Sequence, residues 1–162
     1  MSRDGDASKG GAVVTEALPG FESTPKTVRI FCDGGSRGNP GPAGIGAVVL
    51  DASREPATVI ATVSEAIGIA TNNVAEYQAL ISGLEAAADF GARRVEVRAD
   101  SQLIIRQLEG RYRVKNQGLQ PLYRRAMELL RGYAEVDLQH VYREENTEAD
   151  ALVNAALDAA VT

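Results

Sequence analysis

Four acidic side chains attract attention by where they fall. Asp33 closes a β-branched and aromatic run at 27–33, at the point where it gives way to the glycine-rich turn Gly34-Gly35-Ser36-Arg37-Gly38. Asp100 follows a second such run at 94–99. Glu76 comes just after Thr71-Asn72-Asn73, in the first turn of a stretch with helical periodicity, and Asp150 sits in the first turn of another, after Glu145-Asn146-Thr147-Glu148-Ala149. Converging carboxylates repel and raise each other's pKa unless a cation shares the site. An all-oxygen donor set with no His or Cys beside it suits the hard ions Mg²⁺ and Mn²⁺. Two such ions a few ångströms apart suit phosphodiester cleavage, one activating the attacking water and the other steadying the leaving oxygen. Each acid also has a purely structural reading. Glu76 and Asp150 could complement helix dipoles, 147–150 has the spacing of a capping box, and Asp33 and Asp100 could bond nearby turn amides.

The elements that would position these acids follow from periodicity. Strands are expected at 27–33, 44–50 and 58–67, joined by short connections and therefore antiparallel. Between 73 and 90 the apolar residues Val74, Tyr77, Ile81, Leu84 and Ala88 recur at a helical spacing, and Gly91 stands where a helix would end. A strand at 94–99 reached across that helix implies parallel pairing with an earlier strand. A short helix at 101–108, a basic loop at 110–118, a helix at 119–130, a strand at 135–142 and a last helix at 147–160 complete the order. The class is α/β, a five-stranded mixed sheet, three strands antiparallel and two parallel, with helices on both faces. If the strands ending at Asp33 and Asp100 are parallel neighbours, both carboxylates meet at the sheet edge where open α/β folds place their sites. Residues 1–26, rich in Gly, Ser, Ala, Asp and Glu, are expected to form a flexible tail outside a single domain at 27–162.

Composition limits the setting. The 162 residues are 44% hydrophobic and 24% charged, as in soluble globular domains. No apolar run nears the length of a membrane span and no secretory leader is evident, so a cytoplasmic location is expected. The single cysteine, Cys32, excludes an internal disulfide. Net charge is −5, yet 101–134 carries seven basic residues against two acids, a local charge of +5 on an otherwise acidic chain. Such an island can hold phosphates or be a solvated helix face.

Four blocks make the chain recognisable: 33–41 (Asp-Gly-Gly-Ser-Arg-Gly-Asn-Pro-Gly), 71–76 (Thr-Asn-Asn-Val-Ala-Glu), 100–102 (Asp-Ser-Gln) and 145–150 (Glu-Asn-Thr-Glu-Ala-Asp). In this order and at these separations the sequence resembles the ribonuclease H type 1 family over 28–160. The resemblance implies a metal site of Asp33, Glu76, Asp100 and Asp150 holding two Mg²⁺ ions, with Mn²⁺ able to substitute. It also implies cleavage within the RNA strand of an RNA–DNA hybrid, leaving 5′-phosphate and 3′-hydroxyl ends. Residues matching Gly34, Gly35, Asn72, Glu76 and Gln102 lie along the RNA strand in that family, and those matching Asn39, Thr71 and Asn73 contact the DNA strand. Asn72-Asn73 also reads as a helix cap.

The chain departs from the family pattern twice. The segment at 110–118 is too short for the basic protrusion of many bacterial members, so this resembles the compact type, with Arg111, Arg113, Lys115 and Asn116 as a partial substitute. The only histidine, His140, falls in a predicted strand rather than in the mobile loop before the last acid, which leaves Arg143, Glu144 and Glu145 to assist turnover. These departures leave double-stranded RNA open as a second partner; a monomer is expected. The rival readings are a non-catalytic hybrid-binding module, another nuclease of the wider superfamily, and a piece of a longer protein with a further activity.

Overall fold

A computed structural model describes residues 24–161. The expected tail at 1–26 lies outside the described residues except for 24–26, where the Lys26 amide donates to Ser53 Oγ at 2.8 Å and its carbonyl accepts from the amides of Arg93 and Arg94. The elements run β1 (Thr27–Ser36), β2 (Gly41–Asp51), β3 (Thr58–Ala70), α1 (Asn72–Ala88), β4 (Arg94–Ala99), α2 (Gln102–Leu108), α3 (Gln120–Leu130), β5 (Glu135–His140) and α4 (Thr147–Ala160), with a 3-10 turn at Arg143–Glu145 before the last helix. The sheet order is β3-β2-β1-β4-β5. β1 pairs antiparallel with β2 and parallel with β4, and β4 pairs parallel with β5. The mixed sheet expected from the sequence is therefore the one observed.

Strand alternation sends neighbouring residues to opposite faces, and helices lie on both. α1 packs on β1, β2 and β3 from one side, backed by α3, while α4 packs on the same three strands from the other. On β2 the adjacent residues Ala47 and Gly46 show the division. Ala47 faces α1, where a Cβ on Gly83 would lie 3.2 Å from its own; Gly46 faces α4, where a Cβ would lie 2.9 Å from Leu152 Cβ. Missing side chains at these crossings let the helices approach closely. The core between sheet and α1 holds Val28, Ile30, Ile45, Val95, Val97, Tyr77, Leu80 and Leu84, all essentially inaccessible. Each such aliphatic side chain contributes about 1.5–3 kcal/mol on burial. The other face of β1, β4 and β5 carries an ion-pair lattice: Arg29 bonds Glu96 at 2.7 Å, and Arg98 bonds Asp137 at 3.0 Å.

Candidate active site

Asp33 and Asp100 owe their proximity to the parallel register. The last β1–β4 pair is Cys32 with Ala99, so the next residue of each strand is one of the two acids. The expectation that Asp33 ends its strand is corrected: β1 runs on to Ser36, with Asp33 paired to Gly46 and Gly34 to Ile45. Only the β4 neighbour stops, because that chain turns at Asp100 into α2, capped by Ser101, whose Oγ accepts from the Ile104 amide. Asp33 thus sits on continuous, rigid backbone beside an opened edge.

Glu76 and Asp150 arrive from opposite faces. α1 crosses β1 at Gly34, where an added Cβ would lie 2.6 Å from the Glu76 amide nitrogen and closer still to the Ala75 carbonyl. Glu76 is the fifth residue of α1, beyond a first turn that contains no acid, so the expected placement in the first turn does not hold and the dipole reading lapses. Asp150 does lie in the first turn of α4. That turn is seated by Asn146, 1% exposed, whose Nδ2 donates to the Cys32 carbonyl at 3.0 Å, and by Ala149 against Gly46. Asn146, not Thr147, is the residue that precedes the helix, and its side chain bonds β1 instead of capping. The capping-box reading of 147–150 is therefore corrected as well.

Electrostatics record the convergence. The Asp33 carboxyl is pushed up to about 8, first by burial, then by the charge of Asp100, the hydrogen bond and charge of Asp150, and the charge of Glu76. Burial and the charge of Asp100 raise Glu76 to about 7, against the opposing pull of the Ser101 hydroxyl and the positive Arg143. Burial and the same acids push the Cys32 thiol up, so it stays a neutral packing group. Asp33, Glu76 and Asp100 line one hollow floored by Leu80, Val97 and Ile104, and Asp150 borders Asp33 from the α4 side. Among the described residues, no three His, Cys, Asp or Glu side chains already close into a coordination cage. Like-charged carboxylates facing each other gain nothing by closing further until a cation offsets their repulsion. The donor set fits a hard divalent ion: it is all oxygen, and the raised carboxyls of Asp33 and Glu76 carry a penalty that a cation would remove.

The remaining expected residues divide. Asn39 Oδ1 accepts from the Asn72 amide at 3.0 Å, and Asn72 Oδ1 accepts from the Ser36 amide at 2.9 Å, tying the glycine turn to the start of α1. Thr71 is the cap, its Oγ1 accepting from Val74, so the cap reading of Asn72-Asn73 is corrected; Asn73 is half-buried in the first turn. Gln102 opens α2 beside Asp100 and is exposed. Arg111, Arg113 and Lys115 are exposed one short helix away, Arg111 beside Glu109 at 3.5 Å. Asn116 Oδ1 accepts from the Gly118 amide at 2.7 Å, serving its own loop. Arg143, Glu144 and Glu145 form the 3-10 turn, with Glu145 Oε1 accepting from the Tyr142 amide. His140 lies in β5, as expected, but as its last residue: the strand ends there rather than at Tyr142. Sequence reasoning assigned nothing to Asn146, Ser101 or Tyr142; a polar residue directly before an apolar helix was the available signal for Asn146.

A sheet of this order, with acids brought to one edge by β1, β4, α1 and α4, defines the ribonuclease H-like fold. The family model described as reverse transcriptase-like matches residues 31–156. Bifunctional protein Rv2228c of Mycobacterium tuberculosis is 50% identical over 133 residues, covering 82% of this chain and 36% of that protein. Its N-terminal RNase H domain, solved as a fusion with maltose-binding protein, superposes with a TM-score of 0.78 at 48% identity, covering 82% of this chain and 99% of that one. Ribonuclease HI of Halobacterium salinarum is 47% identical over 131 residues, covering 81% of this chain and 64% of that protein. The crystal structure of RNase H1 from the same archaeon gives a TM-score of 0.77, covering 82% and 98%. LC11-RNase H1, solved in complex with an RNA/DNA hybrid, gives 0.77 at 42% identity, covering 83% and 99%. The chain belongs to the ribonuclease H type 1 family. It spans about a third of the length of the mycobacterial relative.

Proposed function

We propose that this chain cleaves the RNA strand of RNA–DNA hybrids internally, with two divalent ions, leaving 5′-phosphate and 3′-hydroxyl ends. The observation that carries the reading is the convergence of Asp33, Glu76, Asp100 and Asp150 from four elements, registered in the raised Asp33 carboxyl. Support comes from relatives named Ribonuclease HI and from the LC11 enzyme solved with a hybrid. Mg²⁺, or Mn²⁺ in its place, would supply water activation and leaving-group stabilisation when bound.

The chain's own part is positional. Asp33 and Asp100, at the ends of the shared register, would hold both ions, and Glu76 and Asp150 one each. Burial of Asp33 and Glu76 keeps bulk water from screening that charge. Gly34 and Gly35 lie beside the acids, and because α1 fills the side on which Gly34 lacks a Cβ, a sugar-phosphate chain would meet this strand through its backbone groups. Telling RNA from DNA requires reading 2′-hydroxyls from the minor groove, a task for small polar groups such as Asn72 and Gln102. Arg111, Arg113 and Lys115 add a salt-sensitive hold on phosphates. A monomer in the cytoplasm acting on hybrids, and on double-stranded RNA more weakly, completes the proposal.

The test uses a hybrid with blocked ends and an internally labelled RNA strand, incubated with the purified chain and Mg²⁺. Internal cuts with 5′-phosphate ends are expected. Asp100→Asn should abolish cutting, by about 10³-fold or more, while hybrid binding persists. Full activity in that variant, or cutting from ends alone, overturns the proposal.

A further inference from the structure

On the rim of the site stands one large aromatic side chain that the chemistry above leaves unused, Tyr142. Its backbone is fixed by the residue before it and by Glu145 after it. The preceding amide, of Val141, donates to the carbonyl of Ala99 at 2.9 Å, the residue before Asp100. The Tyr142 amide donates to Glu145 Oε1 at 2.9 Å, and the Tyr142 carbonyl accepts from the Glu145 amide at 2.8 Å, closing the turn reciprocally. The following residue, Arg143, is near enough for its charge to act on Glu76. Tyr142 is thereby held between a segment bonded beside Asp100 and a residue whose charge is felt at Glu76. α2, which begins with Gln102, packs against the same β5 from which Tyr142 emerges.

The ring itself is scarcely used by the fold. It is 69% exposed, and its ring contact is an edge-to-face approach to His140, centroids 5.4 Å apart at 75°. A rigidly mounted, wet aromatic has few torsions left to order, so a ligand that covers it gains area at little entropic cost. Bases inside a duplex are stacked on one another and offer no faces. Riboses of the RNA strand, presented in a wide and shallow minor groove, do offer theirs. A tyrosine meets such a sugar in two ways: its ring against the C–H face, and its hydroxyl, both donor and acceptor, toward the 2′-hydroxyl. Resting on the hybrid-cleavage reading, we infer that Tyr142 packs on a ribose flanking the scissile phosphate and hydrogen-bonds its 2′-hydroxyl, making it a substrate-reading residue.

The experiment compares wild type, Tyr142→Phe and Tyr142→Ala on a hybrid with Mg²⁺, and on the same hybrid carrying single 2′-deoxy substitutions near the cut. For Tyr142→Ala, KM rises about tenfold, in line with loss of an aromatic contact, while kcat stays within about twofold. The salt dependence of KM keeps its slope, because no charge has been removed. The melting temperature is unchanged, because an exposed ring is lost. One deoxy position weakens wild type but not Tyr142→Phe, which locates the hydroxyl's partner. An unchanged KM in Tyr142→Ala overturns the inference, and so does a deoxy penalty equal in wild type and Tyr142→Phe. A wild-type chain that leaves the hybrid uncut instead sinks the reading on which the inference rests.

Discussion

Gly34→Ala is the sharpest probe of how this site is assembled, because it alters no acid. Gly34 has ordinary backbone angles, so alanine there meets no conformational penalty. The obstacle is the floor of α1: the new Cβ would lie 2.6 Å from the Glu76 amide nitrogen and nearer still to the Ala75 carbonyl. Those are backbone atoms of a capped helix and cannot swing aside. Restoring a normal contact of about 3.5 Å requires α1 and β1 to part by about 1 Å. Overpacking of that kind costs about 1–3 kcal/mol, a loss of about 3–10 °C in melting temperature for a domain of this size. The same displacement carries Glu76 away from Asp33 and Asp100, and a shift of about 1 Å at a reacting centre costs about 100-fold in rate. Thermal melts and single-turnover hybrid cleavage measure the two effects. Gly35→Ala serves as the melting control, since its Cβ would meet only Val153 Cγ1 at 3.9 Å, an ordinary contact. A Gly34→Ala protein that melts and cuts like wild type would refute the claim that this crossing sets the position of Glu76.

Two further outcomes follow from the same geometry. Asp33 and Glu76 are raised from 3.8 and 4.5 to about 8 and about 7, so the folded state holds protons that the unfolded chain releases. Stability in EDTA is therefore greatest below the unfolded values and declines as pH rises through the window from about 4 to about 8. Melting temperature should fall between pH 5 and pH 8 (about) without metal, and Mg²⁺ should restore more of it at the upper end; a flat profile in EDTA would contradict the coupling. Tyr77→Phe removes the buried hydroxyl that donates to Gln107 Oε1 at 2.6 Å, joining α1 to α2. Leaving that acceptor unpaired should cost about 1–3 kcal/mol by chemical denaturation, and a change near zero would mean that water replaces the bond.

Much of the architecture is written locally. Alternating burial in β1, the helical spacing from Val74 to Ala88, and the arrest at Gly91 (φ 68°) before β4 each depend on neighbours within a turn or a strand. The identity of the four acids was legible for a related reason: each has Gly, Asn, Ser or Thr within three residues, the types that mark element boundaries, although Asp33 itself lies inside β1 and Glu76 beyond the first turn of α1. What the chain alone left undecided was every feature set by contact between distant segments. The extension of β1 past Asp33 depends on Gly44 and Ala43 of β2 accepting Gly35 and Ser36 into register. Thr71 rather than Asn72 caps α1 because Asn72 is engaged by Ser36 and Asn39 across the turn. Asn146 seats α4 through a bond to Cys32, 114 residues away. Propensity and periodicity act over a few residues, whereas a cluster of like charges forms only where packing forces it; the sequence named the acids, and the close crossings at Gly34 and Gly46 brought them face to face.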